Sequence, residues 1–166
     1  MSAELNFVRQ QGFRDASASS CGYQYEALMV QPRVIGVLIL AGVFLQYAPF
    51  FLALGALLWW NAVVPRLNPF DWLSNQLVAK RKGRPALGPA PAPRRFAQGM
   101  AGSFLLGIGG ALLTGHAVVA AALEALLLAA LGALVFGRFC LGSYVFHLLR
   151  GQAGFAQRTL PWSRTQ

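Results

Sequence analysis

Charge is scarce in this chain, and negative charge is scarcest. Of its 166 residues, 14 are lysine or arginine and 5 are aspartate or glutamate, so 11% are charged. A soluble domain carries about 25%. With 56% hydrophobic residues and a mean hydropathy of +0.51, the chain holds more apolar surface than a soluble domain of this size can bury. Cysteine is also rare: Cys21 and Cys140 are too few for a disulfide scaffold. The common signatures of soluble catalysis are missing, with no phosphate loop, no H-E-x-x-H pair, no G-x-S-x-G turn and no C-x-x-C. Residues 1–33 lack a basic start followed by an apolar core, so the first apolar run is expected to be a retained span and not a cleaved leader.

What is present is long and apolar. From Phe96 to Leu149 the only permanent charges are Glu124 and Arg138, and Thr114-Gly115-His116 divides the stretch into two runs. Each is long enough for a helix of roughly 20 residues to cross about 30 Å of hydrocarbon. A second stretch, Val34 to Val64, is interrupted by Gln46-Tyr47-Ala48-Pro49. A polar residue, an interfacial aromatic and a proline at mid-run divide it into two short helices. Trp59 and Trp60 mark its return to the interface.

The expected fold is therefore all-α: an integral membrane four-helix bundle of two transmembrane hairpins plus a cytoplasmic-side interfacial amphipathic helix. Residues 1–31 form an N-terminal cytoplasmic segment and residues 150–166 a C-terminal cytoplasmic tail. The four-span domain covers 32–149, with spans at about 32–46, 49–64, 96–114 and 117–137. Asn68, Pro69 and Asp71 open the interfacial helix at about 69–82, with Phe70, Leu73 and Leu77 as its apolar stripe. A proline-rich linker, 83–93, follows.

Basic residues set the orientation. Neither hairpin turn, Gln46–Pro49 or Thr114–His116, contains lysine or arginine, so all 14 basic residues fall on one face. That places both termini in the cytoplasm of a multi-pass protein of the bacterial inner membrane. Lys80, Arg81, Lys82, Arg84, Arg94 and Arg95 are the expected contacts to anionic headgroups. The charge of +9 has this explanation without nucleic acid, for which no motif is present.

Three sets of residues are candidates for function. Gly99, Ser103, Gly107, Ala111 and Gly115 recur every four residues, a small-residue face that lets helices approach closely in lipid. Glu124, inside the last span, is either a proton-carrying or ligand-binding group or a hydrogen-bonded carboxyl that fixes packing. Cys140 lies beside Arg138, and topology places Cys21 on the same side, which opens a redox role against plain burial beside Gly142. Cys140, Ser143 and His147 share a helix face, but three groups on one helix make no metal site without ligands from elsewhere. Asp15, Glu26 and Asp71 read as isolated, solvated carboxylates.

At PRRFAQGM (93–100) and FGRFCLGSYVFHLL (136–149) the sequence resembles the bacterial membrane proteins grouped as domain of unknown function 4395. The resemblance covers roughly 32–149 and implies a small four-span protein with no assigned activity. That family's pattern has a second cysteine where this chain has Ser143, so a dithiol at 140 and 143 is not available. The expected function is that of a non-enzymatic accessory protein without cofactor or metal. It would pack through the small-residue face with itself, as a homo-oligomer, or with a larger membrane complex. The alternative is a membrane thiol-redox or small-solute handling protein using Cys140, Glu124 or both.

Overall fold

A computed structural model describes residues 2–13, 18–80, 83 and 85–163, and among them all regular structure is helical. Arg81, Lys82 and Arg84, expected at the headgroups, lie outside the described residues, as do Asp15 and the side chain of Cys21. The helices are α1 (Ser2–Gln10), α2 (Ala18–Leu45), α3 (Ala48–Val63), α4 (Pro69–Ser74), α5 (Ala92–Leu113), α6 (Ala117–Val135), α7 (Leu141–Leu149) and α8 (Ala153–Arg158). Three stretches are long and apolar enough to cross a bilayer: Gly22–Leu45 in α2, then α5 and α6. The fourth apolar helix, α3, has 16 residues and is about 24 Å long.

The first apolar helix, α2, starts well before the expected position 32. Pro32 sits inside α2, not in its first turn. A mid-helix proline removes one backbone bond and normally kinks or ends a helix. Here packing carries the helix through, because Ala27, Leu28 and Met29 are buried against Phe7 and Val8 of α1 and against Leu87 and Cys140. Within the N-terminal segment, α1 is thus a packed helix. Asn6 ties it to the C-terminal end, donating to the carbonyls of Leu160 (2.9 Å) and Ser163 (3.0 Å).

Gln46 takes a left-handed backbone (φ +48°) and Pro49 stands in the first turn of α3, so the chain reverses within two residues. α3 then runs antiparallel along α5. A Cβ on Gly109 would come within 2.7 Å of Leu52, one on Gly102 within 3.0 Å of the Gly55 carbonyl oxygen, and one on Gly99 within 3.7 Å of Trp59. This seam is offset from the expected face of Gly99, Ser103, Gly107, Ala111 and Gly115. Gly99 and Ala111 are buried, whereas Ser103, Gly107 and Gly115 are exposed, with Gly107 beside Leu123 of α6. α2 is antiparallel to α6, with Gly36 against Leu131 and Gln46 against Glu124.

Beyond α3, a single 3-10 turn, Pro65–Leu67, leads into α4, whose cap is Asn68: its Oδ1 accepts from the Phe70 N–H at 3.0 Å. A π turn, Asn75–Ala79, follows. The inward face of α4 is Phe70, Asp71 and Ser74, and Leu73, expected in an apolar stripe, is exposed. The Asn75 side chain then brackets the backbone of Leu87 with two hydrogen bonds (2.7 and 3.2 Å). The last expected span, about 117–137, corresponds to α6; beyond it Arg138 takes φ +54°, and α7 starts as a separate helix with Cys140 at its N-cap.

Candidate functional site

Between α2, α5, α6 and the start of α7 lies a cavity of about 280 Å³. Its walls are apolar, from Leu28, Pro32, Ile35 and Ile39 on α2 to Ala101 and Phe104 on α5 and Leu127 to Leu134 on α6. The Cys140–Gly142 turn and Phe7 complete it, and Gln11, Gln31, Arg94 and Gln98 supply its polar groups.

The polar end is built from three elements. Arg94 donates from Nη1 to Asp71 Oδ2 (3.0 Å) and from Nη2 to Asp71 Oδ1 (2.6 Å). Nη2 also reaches Gln31 Oε1 at 2.9 Å. Asn68 donates to Asp71 Oδ2 at 3.0 Å, and Gln98 Nε2 donates to Gln31 Oε1 at 2.9 Å. A buried ion pair is tolerated only when its remaining lone pairs and protons find partners in this way. Two expectations are corrected here. Asp71 is not solvated, and Arg94 is not a headgroup contact: the two are buried together, leaving 10% and 6% of their side chains exposed. Arg95 donates from Nε to the Ala62 carbonyl (2.6 Å), while Lys80 is exposed.

The network also fixes which way two amides point. Guanidinium nitrogens can only donate, so the Gln31 atom facing Arg94 must be the oxygen. The Gln98 atom facing that oxygen must then be the nitrogen. Gln98 Oε1 is left buried without a hydrogen-bond partner, on a residue 7% exposed that lines the cavity.

Glu124 is as deeply buried, at 6%, and meets a different partner. Gln46 Nε2 donates to both its oxygens (3.0 and 3.2 Å) and to the Val43 carbonyl (2.8 Å). Glu124 does not line the cavity; it ties the α2–α3 turn to α6.

Cys140, Ser143 and His147 are all buried, Cys140 at the N-cap of α7 and the other two within the helix. The Cys140 N–H donates to Gln10 Oε1 (3.0 Å), Ser143 Oγ donates to the Pro93 carbonyl (3.4 Å), and His147 bonds the Gln10 carbonyl and Gln152 (3.1 and 2.9 Å). Among the described residues no group of three His, Cys, Asp or Glu is placed to hold a metal. Arg138 faces Glu4 at 3.4 Å and the ring of Tyr25 at 5.4 Å. Cys140 contributes to the cavity wall.

Sequence reasoning missed Gln31 and Gln98, which meet across 67 positions, and Asn61, fully buried with both amide atoms unpartnered. A glutamine inside or beside an apolar run was the available signal, because an uncharged amide there is costly unless bonded.

No curated protein and no solved structure matches this chain. Residues 27–151 match the family described as domain of unknown function (DUF4395), and by that match the chain belongs to this family.

Proposed function

We propose that this chain is a small multi-pass protein of the bacterial inner membrane that binds an amphipathic molecule from the bilayer in the α2–α5–α6 cavity. The observation that carries this reading is an apolar chamber of about 280 Å³ with the hydrogen-bonded side chains of Gln31, Arg94 and Gln98 gathered in its wall. Ligand sites in proteins have this character, mostly apolar with a few placed polar groups.

The membrane frame rests on three helices of sufficient length and apolarity and on α3 as a short fourth span. About 24 Å is short of the hydrocarbon thickness, and local thinning of the bilayer accommodates the difference. The antiparallel α3–α5 and α2–α6 contacts put the Gln46 and Thr114–His116 turns at one end, and neither turn carries lysine or arginine. In this frame the basic segments and both termini face the cytoplasm, where Lys80 meets anionic headgroups. The four apolar helices form a bundle of two hairpins, closed on the cytoplasmic side by α1, α4, α7 and α8.

A second reading, as an accessory component of a larger complex or a homo-oligomer, is favoured by α6. It covers far less of its apolar window than α2 or α5 (17% against 39%). Gly102 and Gly109 are already used against α3, so such a contact would form on α6.

Cys140 is a reporter already in the cavity wall. In a Cys21→Ser chain held in phosphatidylcholine nanodiscs, a small apolar maleimide is expected to label Cys140, and Ala101→Phe, which fills the chamber, is expected to slow labelling at least tenfold. Labelling that ignores Ala101→Phe would overturn the cavity as the site.

A further inference from the structure

We infer that the groove between α3 and the first half of α5 binds one anionic phospholipid, its phosphate on Arg95 and an acyl chain running along α5. The inference rests on the membrane frame and is independent of the α2–α5–α6 cavity.

Two adjacent arginines are placed in opposite ways. Arg94 is buried, and both its terminal nitrogens are taken by Asp71. Arg95 is half-buried and lines a second hollow, a groove of about 530 Å³. Its Nε is held by the Ala62 carbonyl (2.6 Å) in the last turn of α3. Among the described residues no carboxylate pairs with it, and its two terminal nitrogens are accessible and bond nothing. A guanidinium fixed at Nε and free at both terminal nitrogens presents the paired donors that a phosphate accepts bidentately. Because the fork is held in place beforehand, less ordering cost falls on binding. Ala92, in the first turn of α5, also lines the groove, and that end of a helix dipole favours an anion.

The rest of the groove suits a hydrocarbon chain. From Arg95 it follows α5 past Gly99 and Ser103 to Phe104, with Trp59 of α3 on the other side. Arg95 to Ser103 is about 12 Å of helix, directed in the membrane frame from the cytoplasmic headgroups toward the bilayer interior. Gly99 brings no side chain, and Ser103 donates its hydroxyl back to the Gly99 carbonyl (3.0 Å). Trp59, 42% exposed, stands at the end of the span where tryptophan meets headgroups.

Charge decides which phospholipid fits. The phosphate of phosphatidylglycerol has no cation of its own, whereas that of phosphatidylcholine already has an ammonium beside it. A guanidinium without a carboxylate partner therefore favours the former. Charge-assisted hydrogen bonds correspond to roughly tenfold or more in affinity.

The test is native mass spectrometry of the full chain, freed of lipid in mild detergent and titrated with phosphatidylglycerol or phosphatidylcholine of identical chains. One phosphatidylglycerol is expected to bind at least tenfold more tightly than phosphatidylcholine. Arg95→Gln is expected to abolish that preference, and Arg33→Gln, which removes an exposed cation of α2, to leave it within about twofold. Ser103→Phe, which fills the chain half of the groove and leaves Arg95 in place, is expected to weaken phosphatidylglycerol at least tenfold. The comparison of the two lipids needs no variant, so it stands even where Arg95→Gln fails to fold. Equal binding of the two lipids, or equal losses in Arg95→Gln and Arg33→Gln, would overturn the site in favour of diffuse attraction. Glycerol phosphate binding as tightly as the lipid would overturn the chain groove. A lipid-free dimer that Ser103→Phe converts to monomer would give the groove to a second copy and overturn the inference. A chain that stays folded and monomeric without detergent would overturn the membrane frame itself.

Discussion

Two carboxylates in this protein are almost equally buried and very differently supplied. Asp71 has a guanidinium gripping both oxygens and an amide from Asn68. Glu124 has one amide nitrogen shared between its two oxygens, from a residue in a left-handed turn. The first is one member of a network joining α2, α4 and α5; the second is a single link between a turn and α6. Depth of burial alone therefore does not tell how rigid a polar site is. Redundancy of donors does, because a network holds its geometry when one bond is lost and a lone bond does not.

The comparison breaks most visibly at Asp71. Asp71→Ala strands Arg94 as an unpaired buried cation and is expected to destabilise the protein by about 3–5 kcal/mol, read as thermal unfolding in mild detergent. The double change Asp71→Leu with Arg94→Met is expected to recover most of that loss, since a hydrophobic replacement of a buried pair is often neutral. Equal losses in the single and double variants would mean that the pair is not the organising feature of that end.

At the other end, Gln46→Ala removes the amide that donates to both Glu124 oxygens and is expected to cost about 1–3 kcal/mol, less than Asp71→Ala in the same assay. A larger loss than Asp71→Ala would reverse the ranking of the two ends. The seam between α3 and α5 gives a similar magnitude from a different cause. Gly102→Ala places a Cβ 2.9 Å from Trp59 and 3.0 Å from the Gly55 carbonyl oxygen, and overpacking of this kind costs about 1–3 kcal/mol. Gly110→Ala, which meets nothing within 4 Å, is expected to gain up to about 1 kcal/mol of helix propensity. Unfolding temperatures that move the same way in both would contradict the seam.

The smallest effect is expected at Asn61, buried with neither amide atom bonded. Asn61→Leu removes two unpaired polar atoms and is expected to be neutral or to stabilise by about 1 kcal/mol, with maleimide labelling of Cys140 unchanged. A change in labelling would tie Asn61 to the ligand site.

Membership of the family and the apolar helices were legible in the sequence because they are written locally. PRRFAQGM and FGRFCLGSYVFHLL are contiguous motifs, and long uncharged runs need no partner to be recognised. The boundaries were harder. Pro32 reads as a helix start when only neighbours are considered, but Ala27, Leu28 and Met29 find Phe7, Val8 and Cys140 from distant segments and carry the helix past it. The same blindness hid α1, whose inward residues include Asn6 and Gln10 alongside Phe7 and Val8, a mixture that looks like a polar tail. At the polar end Arg94 follows a proline-rich basic segment and so reads as a surface cation, although its partner Asp71 lies 23 positions earlier. Gln31 carries no motif, and Gln98, although inside PRRFAQGM, has nothing in that motif to name its partner. Their role exists only once α2 and α5 bring them within hydrogen-bonding distance.

The most direct test of the whole account is photo-cross-linking of the protein in phosphatidylcholine nanodiscs with a diazirine-bearing decanol, followed by mapping of the labelled peptides. The account predicts adducts on the chamber walls, at Ala101 or Phe104 of α5 and between Leu127 and Leu134 of α6, that excess unlabelled decanol removes. Adducts confined to outward-facing residues such as Phe44, Val118 and Phe136, unaffected by competitor, would contradict it.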